Sequence, residues 1–507
     1  MPTNHHVAVR DLSFTYDSAH EPLIVGLSAN FPRGFTGVIG ANGGGKTTLL
    51  RLLVGDLEPN QGSVEGANNA VYCAQRTDDP PPGLNEFLNN WDSDAFELRG
   101  RLGINDDFLD RWPTLSHGER KRTQIGHALW QSPEVLAIDE PTNHLDQEAR
   151  LLLIQALEKF RGVGLIVSHD RQLLDALCSQ CIWLEPPAAD VYSGGYSQAK
   201  ALRATQRSST IRTKRSLSTE QKRITKETIN RRKHAEKSHQ SRSKQGLARN
   251  DSDAREKIDR AKNTDSKEGQ ALNQLAGRTN QLQAKLAKLH VSKEYETGIW
   301  LPGSVSKRNL LLELAASSLQ LAGTRVLHYP NFHLQPASRI AITGPNGSGK
   351  STFIQHAITQ INAPAEKVIY LPQELKATAT QKLLSKVRTL PNEELGHIMN
   401  IVSRLNSRPE RLLSSEQPSP GEARKLLLAL GMSRSPHIIV MDEPTNHLDL
   451  PSIEALEAAF VECPCALLLI SHDDQFLDNV RARRIELVIQ PNNDTKMSDW
   501  SPVSPVT

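Results

Sequence analysis

Two glycine-rich runs of the chain each end in a lysine followed by a hydroxyl residue. Residues 40–47 read GANGGGKT and residues 344–351 read GPNGSGKS. Glycines let backbone N–H groups turn inward around phosphate oxygens, and the start of a helix already favours anions. The lysine adds a positive charge beside the β- and γ-phosphates, and the hydroxyl can bind Mg²⁺. These residues are Lys46 and Thr47 in the first phosphate loop and Lys350 and Ser351 in the second.

Two apolar runs that resemble strands end in a pair of acids. Residues 135–146 read VLAIDEPTNHLD and residues 438–449 read IIVMDEPTNHLD. The first acid can hold Mg²⁺ through water, and the second is placed to polarise an attacking water. Two later runs, IVSHD and LISHD, each contain a histidine at the end of a strand-like segment, where it can face a γ-phosphate. The pattern predicts hydrolysis of a nucleoside triphosphate. The residues are Asp139, Glu140 and His169 in the first set and Asp442, Glu443 and His472 in the second.

The motifs recur at one spacing along the chain. Lys350 follows Lys46 by 304 positions, and the second pair of acids and the second histidine follow the first by 303. A single glycine-rich turn could be purely structural, but three motifs in register exclude chance. The chain is therefore predicted to hold two homologous nucleotide-binding domains.

Each motif requires a particular element to position it. A strand-like run at 36–39 or 339–343 precedes each phosphate loop, and a helix-like run follows it. This is the strand–loop–helix context that a phosphate loop needs. We predict an α/β fold with two P-loop NTPase domains in tandem. The predicted boundaries are 1–198 for the first domain, 199–298 for a linker, 299–490 for the second domain and 491–507 for a disordered tail.

The segment between the domains carries a charge that the total conceals. The 507 residues include 60 Lys and Arg and 57 Asp and Glu, a net charge of +3. Residues 201–290 hold 23 Lys and Arg and 9 Asp and Glu, a net charge of +14, so the rest carries −11. Apolar residues recur at helical spacing near the end of this segment. We predict a basic α-helical hairpin whose turn lies at 238–252, with a solvated linker as the alternative.

Composition excludes several classes of protein. No apolar run approaches the roughly 20 residues that span a bilayer. Residues 1–9 lack the basic and apolar start of a signal peptide. The five cysteines are an odd, sparse set that indicates reduced thiols, so we expect a cytoplasmic protein. Cys178 and Cys181 could form a metal or redox pair, but no second Cys/His pair has suitable spacing, which favours a small apolar role for both.

Residues 115–119 read LSHGE, which resembles the LSGGE-type signature of ATP-binding cassette proteins. With Tyr16, Gln75 and the NHLD run at 143–146, the first domain looks like a complete cassette. Two cassettes, a basic linker and the EPTNHLD sequence resemble the ABC-F family over residues 7–488. The resemblance implies a soluble ATPase that binds ATP and Mg²⁺. Many members of that family bind the ribosome near the tRNA exit site and extend the linker towards the peptidyl-transferase centre. Some are translation factors, and others protect ribosomes from antibiotics.

The resemblance also implies that the two cassettes of a monomer close head to tail and bury two ATP molecules. Each site would pair the phosphate loop of one cassette with the signature of the other, whose helix N-terminus completes the γ-phosphate cradle. Site one would contain Lys46, Thr47, Gln75, Asp139, Glu140 and His169 with Ser419 and Gly421. Site two would contain Lys350, Ser351, Gln373, Asp442, Glu443 and His472 with Ser116 and Gly118. Further ATP contacts would come from Tyr16, Gly40, Asn42, Gly43, Gly45, Thr48, Gly344, Asn346, Gly347, Gly349 and Thr352. The Mg²⁺ ligands would be Thr47, Gln75, Asp139, Ser351, Gln373 and Asp442.

The second cassette departs from the family pattern at two places. Its signature at 418–422 reads PSPGE, so that a proline stands between Ser and Gly and removes a backbone N–H. Leu321 and Ala322 occupy the region where the first cassette has Tyr16 to stack on adenine. For Tyr16 itself, a buried strand aromatic is the alternative interpretation. These departures predict two unequal sites.

Three functions are consistent with this pattern. The first is a ribosome-binding ATPase whose linker contacts rRNA and tRNA phosphates, with an affinity that falls steeply with salt. The second is the ATPase subunit of a transporter whose membrane part is another chain, although a basic arm has no evident use there. The third is a DNA-associated cassette ATPase. Residues 201–290 contain no Phe, Tyr or Trp, which favours backbone and shape contacts over base stacking. We favour the first, with a translation-factor role and an antibiotic-resistance role both open.

Overall fold

We describe the protein from a computed structural model of the chain. The structure describes residues 6–240, 271–286, 304–405 and 418–499, except residues 18, 20, 144, 322, 376 and 492, together with residues 407, 409 and 412. The chain divides into two compact units, one formed by Met1–Ala199 with Glu294–Thr507 and one by Lys200–Lys293. We refer to residues 6–199 as the first half and to residues 304–499 as the second half. The predicted domain boundaries stay predictions.

The first half is built on a mainly parallel sheet. Its elements are β1 (Val7–Phe14), β2 (Ile24–Phe31), β3 (Gly34–Gly40), α1 (Lys46–Leu53), β4 (Gln61–Glu65), β5 (Ala70–Cys73), α2 (Leu84–Asn89), α3 (Ser93–Leu102), α4 (His117–Trp130), β6 (Val135–Asp139), α5 (Gln147–Leu157), β7 (Val163–Val167), α6 (Arg171–Leu177), β8 (Cys178–Glu185) and β9 (Ala188–Ser193), with short 3₁₀ turns at Asp106–Phe108 and Trp112–Thr114. Six strands have the order β5-β6-β7-β3-β8-β9, and a separate antiparallel sheet has the order β2-β1-β4.

Alternate residues of the central strands pack on opposite faces of this sheet. In β6, Leu136 and Ile138 join one apolar cluster, whereas Val135 and Ala137 join another. Every residue of β6 and β7 is buried. A parallel strand covered on both faces has a continuous apolar sequence, because neither face meets water. The apolar runs before the paired acids are therefore central strands, as predicted.

The second half repeats this plan. Its elements are β10 (Leu312–Leu314), β11 (Ser317–Gln320), β12 (Val326–Tyr329), β13 (Phe332–Leu334), β14 (Arg339–Thr343), α9 (Lys350–Thr359), β15 (Val368–Leu371), α10 (Ala377–Arg388), α11 (Asn392–Arg404), α12 (Pro420–Met432), β16 (Ile438–Asp442), α13 (Leu450–Glu462), β17 (Ala466–Ile470), α14 (Asp474–Asn479), β18 (Arg483–Ile489) and β19 (Thr495–Asp499), with a 3₁₀ turn at Ala365–Lys367. Eight strands have the order β11-β12-β19-β18-β14-β17-β16-β15, and β10 pairs with β13.

The prediction of a disordered tail from residue 491 is wrong in part. Residues Thr495–Asp499 form β19, which pairs antiparallel with β18 and parallel with β12. Thr495 and Met497 are buried, whereas Lys496 and Ser498 are exposed. This alternation places Met497 in the apolar cluster of the second half, which outweighs the polar composition of the tail. Residues 500–507 lie outside the described residues.

The second unit contains the long helix expected in the linker. The helix α7 (Tyr196–Gln240) runs into this unit, and residues 271–286 form α8. Ile224, Leu275 and Leu282 form a small buried cluster between these helices, and Leu217 packs against it. The turn predicted at 238–252 lies mostly among residues 241–270, outside the described part of the chain.

The sheets bring the three motifs of each half to one edge. In the first half, β7 lies between β6 and β3 and runs parallel to both. In the second half, β17 lies between β16 and β14 in the same way. The carboxyl ends of neighbouring parallel strands meet at the same edge, where α/β proteins bind ligands. The phosphate loop, the acids and the histidine of each half therefore lie close together.

Candidate nucleotide-binding sites

The two phosphate loops have the same internal geometry. Gly43 and Gly45 have φ angles of 72° and 88°, and Gly347 and Gly349 have φ angles of 77° and 94°. Only glycine adopts such angles without strain, so the glycines fix the curl of the loop. The lysine of each loop folds over this curl and donates to its carbonyl oxygens. Lys46 Nζ lies 2.9 Å from Gly40 O and 3.2 Å from Ala41 O, and Lys350 Nζ lies 2.7 Å from Gly344 O and 2.9 Å from Pro345 O.

The hydroxyl of each loop meets the first acid of the same half. Thr47 Oγ1 donates to Asp139 Oδ2 at 2.6 Å, and the Ser351 hydroxyl is hydrogen-bonded to Asp442. Burial raises the pKa of both carboxyls. In the described part of the chain, no group of three or more His, Cys, Asp or Glu side chains could hold a metal ion. A hydroxyl beside one carboxylate instead fits Mg²⁺, which takes its remaining ligands from phosphates and water.

The second acid of each half faces the predicted histidine. His169 Nε2 lies 2.9 Å from Glu140 Oε1, whereas His472 Nε2 lies 3.5 Å from Glu443 Oε1. Both glutamates have a positive φ, 48° and 49°, in a region that is rare for residues with a side chain and that clusters at functional sites. The side-chain atom Glu140 Oε2 is buried without a hydrogen-bond partner among the described residues, which fits a carboxylate aimed at a water.

Burial and charge act differently on these two glutamates. At Glu140, burial favours the proton, but His169 and Lys46 outweigh it and hold the pKa below its usual value. At Glu443, burial dominates and raises the pKa to about 8, although Lys350 opposes it. Burial and the Lys350 charge lower the pKa of His472 to about 3, so the neutral imidazole is favoured. The two halves thus repeat the same side chains in unequal electrostatic surroundings.

Both signature serines begin a helix. Ser116 and Ser419 each accept a hydrogen bond from the backbone of a glutamate three residues later, and that glutamate bonds back to the serine N–H. Pro420 occupies the first position of its helix, where the missing N–H has no partner within the helix. The proline therefore leaves the capping box intact and removes one outward-facing donor from this helix end.

The first phosphate loop contacts the second half directly. Asn42 N donates to Asp449 Oδ2 at 2.8 Å, and Asn42 Nδ2 donates to His447 O at 2.9 Å. A Cβ on Gly421 would lie 2.4 Å from His447 O and 3.5 Å from Asn42 Nδ2. The second signature therefore lies next to the contact between Asn42 and His447. The reciprocal contact is Asn346 N to Asp146 Oδ2, at 3.2 Å. Each phosphate loop thus lies against the other half, as the head-to-tail pairing requires.

A cavity of about 720 Å³ lies at the reciprocal position, between the second phosphate loop and the first signature. Every residue predicted for site two lines it. These are Lys350, Ser351, Gln373, Asp442, Glu443, His472, Ser116 and Gly118, together with the loop residues Asn346, Gly347, Gly349 and Thr352. Gly344 lines a neighbouring cavity of about 340 Å³. In site one, the predicted residue Gln75 is exposed.

The halves differ where a base would lie. Tyr16 follows β1, is 40% exposed, and its hydroxyl lies 2.8 Å from Thr48 Oγ1, so it is not a buried strand aromatic. In the second half, Leu321 is buried and Ala322 lies outside the described residues. A Cβ on Gly349 would lie 2.7 Å from Leu321, as a Cβ on Gly45 would lie 2.8 Å from Leu23. Leu321 therefore corresponds to Leu23 and does not replace Tyr16.

Two buried cations near the sites have no place in the motifs. Lys121 Nζ donates to Asp139 O at 2.9 Å and to Ala74 O at 2.6 Å. Arg424 donates to Asp442 O at 2.8 Å and to Asn446 O at 3.1 Å. Burial lowers the pKa of Lys121 to about 8 and that of Arg424 to about 10. Their separation of 303 positions, the same as that of the motifs, was the signal that could have identified them from the sequence.

Buried contacts also hold the halves together beyond the loops. Arg171 NH1, on the helix that follows the first histidine, lies 2.9 Å from Glu457 Oε1 in α13. Tyr196, the first residue of α7, donates to Glu454 of the same helix. Leu450 packs in the apolar cluster of the first half. The helix α13 therefore lies against the first half along its length.

Comparison with known families and proteins supports the assignment of the motifs. The family model described as ABC transporter matches twice, at residues 26–143 and 327–446. The ribosome protection protein VmlR of Bacillus subtilis is 28% identical and aligns with 95% of this chain and 86% of its own. The energy-dependent translational throttle protein EttA of Mycobacterium tuberculosis is 26% identical and aligns with 88% and 85%.

A solved structure has the same fold. The archaeal ribosome recycling factor aABCE1, in a complex with the ribosomal stalk protein aP1, superposes with a TM-score of 0.61 at 19% identity. The match covers 96% of this chain and 89% of that protein. Among the described residues, no helix is both long enough and apolar enough to cross a membrane.

Proposed function

We propose that this chain, which belongs to the ABC-F family of tandem ATP-binding cassette proteins and is an ATPase, acts on the ribosome. Two of its relatives are named for ribosome protection and for the throttling of translation. The observation that carries the proposal is the pairing of each phosphate loop with the opposite half of one chain. ATP bound between the halves would favour their closed arrangement, and hydrolysis would release it.

We assign the chemistry of each site to this chain's own residues. Lys46 and Lys350 would exchange their loop carbonyls for the β- and γ-phosphates. Thr47 with Asp139, and Ser351 with Asp442, would hold Mg²⁺, with Gln75 and Gln373 as additional ligands. The bound ion would neutralise charge that develops on the phosphates.

The step of hydrolysis falls to the paired glutamates and histidines. Glu140 and Glu443 would accept a proton from the attacking water, Glu443 only in its ionised form, since both carboxyls are buried beside their phosphate loops. The imidazoles of His169 and His472 would orient the glutamate and face the γ-phosphate. Ser419 with Gly421 would complete site one, and Ser116 with Gly118 would complete site two. Both sites assemble within one chain, which supports a monomer as the working form.

The linker would supply the contact with RNA. Its net charge of +14 attracts rRNA and tRNA phosphates, and the relatives' names favour the ribosome as the source of that RNA. Within the described part of α7, Arg232 and Lys233 are exposed, whereas Arg231 is bonded to Glu227 at 3.0 Å. We propose that this arm extends from the tRNA exit site towards P-site tRNA, in a translation-factor or ribosome-protection role.

Sedimentation with ribosomes tests the proposal. The double variant Glu140→Gln, Glu443→Gln should bind ATP, hydrolyse it slowly and accumulate in the ribosomal pellet with ATP but not with ADP. The matched control, Lys46→Ala with Lys350→Ala, should not be trapped because it loses the phosphate contacts. A trapping variant that stays in the supernatant would contradict ribosome action. Equal competition by random duplex DNA would favour the DNA-associated alternative.

The arm is tested separately. Arg232→Gln with Lys233→Gln should weaken ribosome binding. It should also make the slope of log affinity against log salt concentration less steep, by the amount expected for the loss of roughly two phosphate contacts. Basal ATPase activity should stay unchanged because neither residue touches a nucleotide site. Arg231→Gln is the matched control with a smaller expected effect, since Glu227 already engages that guanidinium. Loss of basal ATPase activity in the double variant would instead indicate a structural role.

A further inference from the structure

The cavity of site two contains the groups for a triphosphate but lacks an aromatic cover for the base. Among its lining residues in the described part of the chain there is no Phe, Tyr or Trp. The lining histidines have other neighbours: His117 lies between Ser116 and Gly118, and His169 and His472 face glutamates. A nucleobase left uncovered would forfeit the stacking that site one can obtain from Tyr16.

The difference arises in the loop between two strands. In the first half, nine residues join β1 to β2 and include Tyr16. In the second half, five residues, 321–325, join β11 to β12 and read LAGTR. Leu321 N donates to Arg325 O at 2.9 Å and closes this short turn. The shortening therefore removes the segment that would carry an aromatic residue.

Only one side chain of the short loop is both long and planar. Leu321 is occupied, because it is buried against Gly349 as Leu23 is against Gly45. Arg325 is half-buried and lines the cavity, and its NH1 donates to Gly347 O at 3.3 Å. This bond anchors the guanidinium on the phosphate loop, at the edge of the space that a nucleotide would fill. A guanidinium is planar, always charged and weakly hydrated, so it stacks well on aromatic rings.

We propose that Arg325 covers the nucleobase of the nucleoside triphosphate at site two, in the role that an aromatic ring has at site one. The guanidinium would stack on the face of the base while its NH1 keeps the bond to Gly347 O. Arg325 is then a specificity-determining residue that senses whether a base is present. The inference rests on the proposed function only in requiring that site two binds a nucleotide.

Equilibrium binding tests this inference without measuring turnover. In full-length protein carrying Lys46→Ala, which disables site one, N-methylanthraniloyl-ATP is titrated and then displaced by ATP or by inorganic tripolyphosphate. Arg325→Ala should weaken ATP about tenfold, as expected for the loss of one stacked base. It should leave tripolyphosphate unchanged because that ligand has no base. Arg325→Tyr should restore the affinity for ATP, since a ring stacks as well.

Other outcomes would overturn it. If Arg325→Ala weakens ATP and tripolyphosphate equally, and Arg325→Lys restores both, the side chain contacts phosphate. If Arg325→Ala changes neither, the guanidinium does not contact the ligand. Thr324→Ala, in the same exposed turn, is the matched control and should bind like the parent. A parent that binds no nucleotide at site two would contradict both the inference and the site assignment, whereas a failure of ribosome sedimentation would leave the inference intact.

Discussion

The two nucleotide sites are made from the same motifs, yet the contacts around them differ. At site one, Asn42 is bonded to Asp449 and to His447 O, and Gly421 lies against the same place. At site two, the corresponding region lines a cavity of about 720 Å³. The same motif residues thus meet in both sites but at different distances, because Asn42 N lies 2.8 Å from Asp449 Oδ2 whereas Asn346 N lies 3.2 Å from Asp146 Oδ2. Repeated motifs therefore form unequal sites.

Single substitutions of Glu140 and Glu443, the two glutamates proposed as general bases, should have the largest and most unequal effect. Glu140 is held 2.9 Å from its histidine and Glu443 is 3.5 Å from its own, so site one is better organised for hydrolysis. Glu140→Gln should lower basal ATPase activity by about a hundredfold, the usual scale for loss of a general base, whereas Glu443→Gln should leave most of that activity in place. The measurement is phosphate release at saturating ATP.

Nucleotide occupancy is the control for this pair. Both variants should retain the parent's affinity for N-methylanthraniloyl-ATP, because neither loses a phosphate contact. Equal losses of activity in the two variants would mean that the closer pairing at site one has no consequence for turnover, and a larger loss in Glu443→Gln would reverse the ranking.

The buried Arg424 should affect the site across the interface more than the site of its own half. Its guanidinium bonds Asn446 O, in the segment whose Asp449 and His447 contact Asn42. Arg424→Met should therefore weaken nucleotide binding at site one about threefold to tenfold, because one or two buried hydrogen bonds to a charged group are lost. Binding is measured with Lys350→Ala to isolate site one and with Lys46→Ala to isolate site two.

The equivalent substitution in the first half is the comparison. Lys121 bonds Ala74 O, beside Gln75, so Lys121→Met should weaken site one from within its own half. Arg424→Lys retains the positive charge, so it should lose less affinity for the nucleotide at site one than Arg424→Met. If Arg424→Met weakens nucleotide binding at site two and leaves site one unchanged, the bond from Arg424 to Asn446 O does not support site one.

The motif residues could be predicted from the sequence because their chemistry is local. A glycine-rich turn before a helix predicts a phosphate loop from neighbouring residues alone, and two acids after an apolar run predict the end of a buried strand in the same way. The 303-position repeat then placed every predicted member of site two on one cavity. The capping boxes of Ser116 and Ser419 were equally readable in principle, since each serine precedes a glutamate by three residues.

The remaining features depend on long-range packing and were missed. Arg325 approaches the second phosphate loop only because its turn is short and closed by Leu321. Lys121 and Arg424 look like solvated charges on a helix until the folded chain buries them against carbonyls. The strand at Thr495–Asp499 forms because β18 and β12 offer free edges to a segment of polar composition. Such contacts join residues that are distant in sequence, where local patterns carry no signal.

Substitution of the two aspartates that contact the phosphate loops should lower the free energy of unfolding by different amounts at the two sites. Asp146 and Asp449 each cap a helix, through Ala149 N and Ser452 N, and loss of a cap costs about 1 kcal/mol. Asp449 is also 1% exposed and lies 4.0 Å from the buried Lys425 ammonium. Asp449→Ala should therefore lower the free energy of unfolding by about 2–3 kcal/mol, against about 1 kcal/mol for Asp146→Ala, because it also removes a buried counter-charge. Urea denaturation measures both, and equal values would show that burial of Asp449 adds nothing.

The smallest expected difference concerns the hydroxyl of Tyr16. Its ring packs edge-on against Phe14 at 4.9 Å, and its OH lies 2.8 Å from Thr48 Oγ1. Tyr16→Phe keeps the ring and loses one partly buried hydrogen bond, worth about 1 kcal/mol, so ATP should bind site one no more than about fivefold more weakly. Tyr16→Ala should weaken ATP further, by the loss of stacking, and leave tripolyphosphate unaffected. Both variants are measured in the Lys350→Ala chain, which isolates site one. If Tyr16→Phe and Tyr16→Ala lose the same affinity for ATP, the hydroxyl and not the ring binds the nucleotide. Tyr16 and Arg325 would then not have equivalent roles.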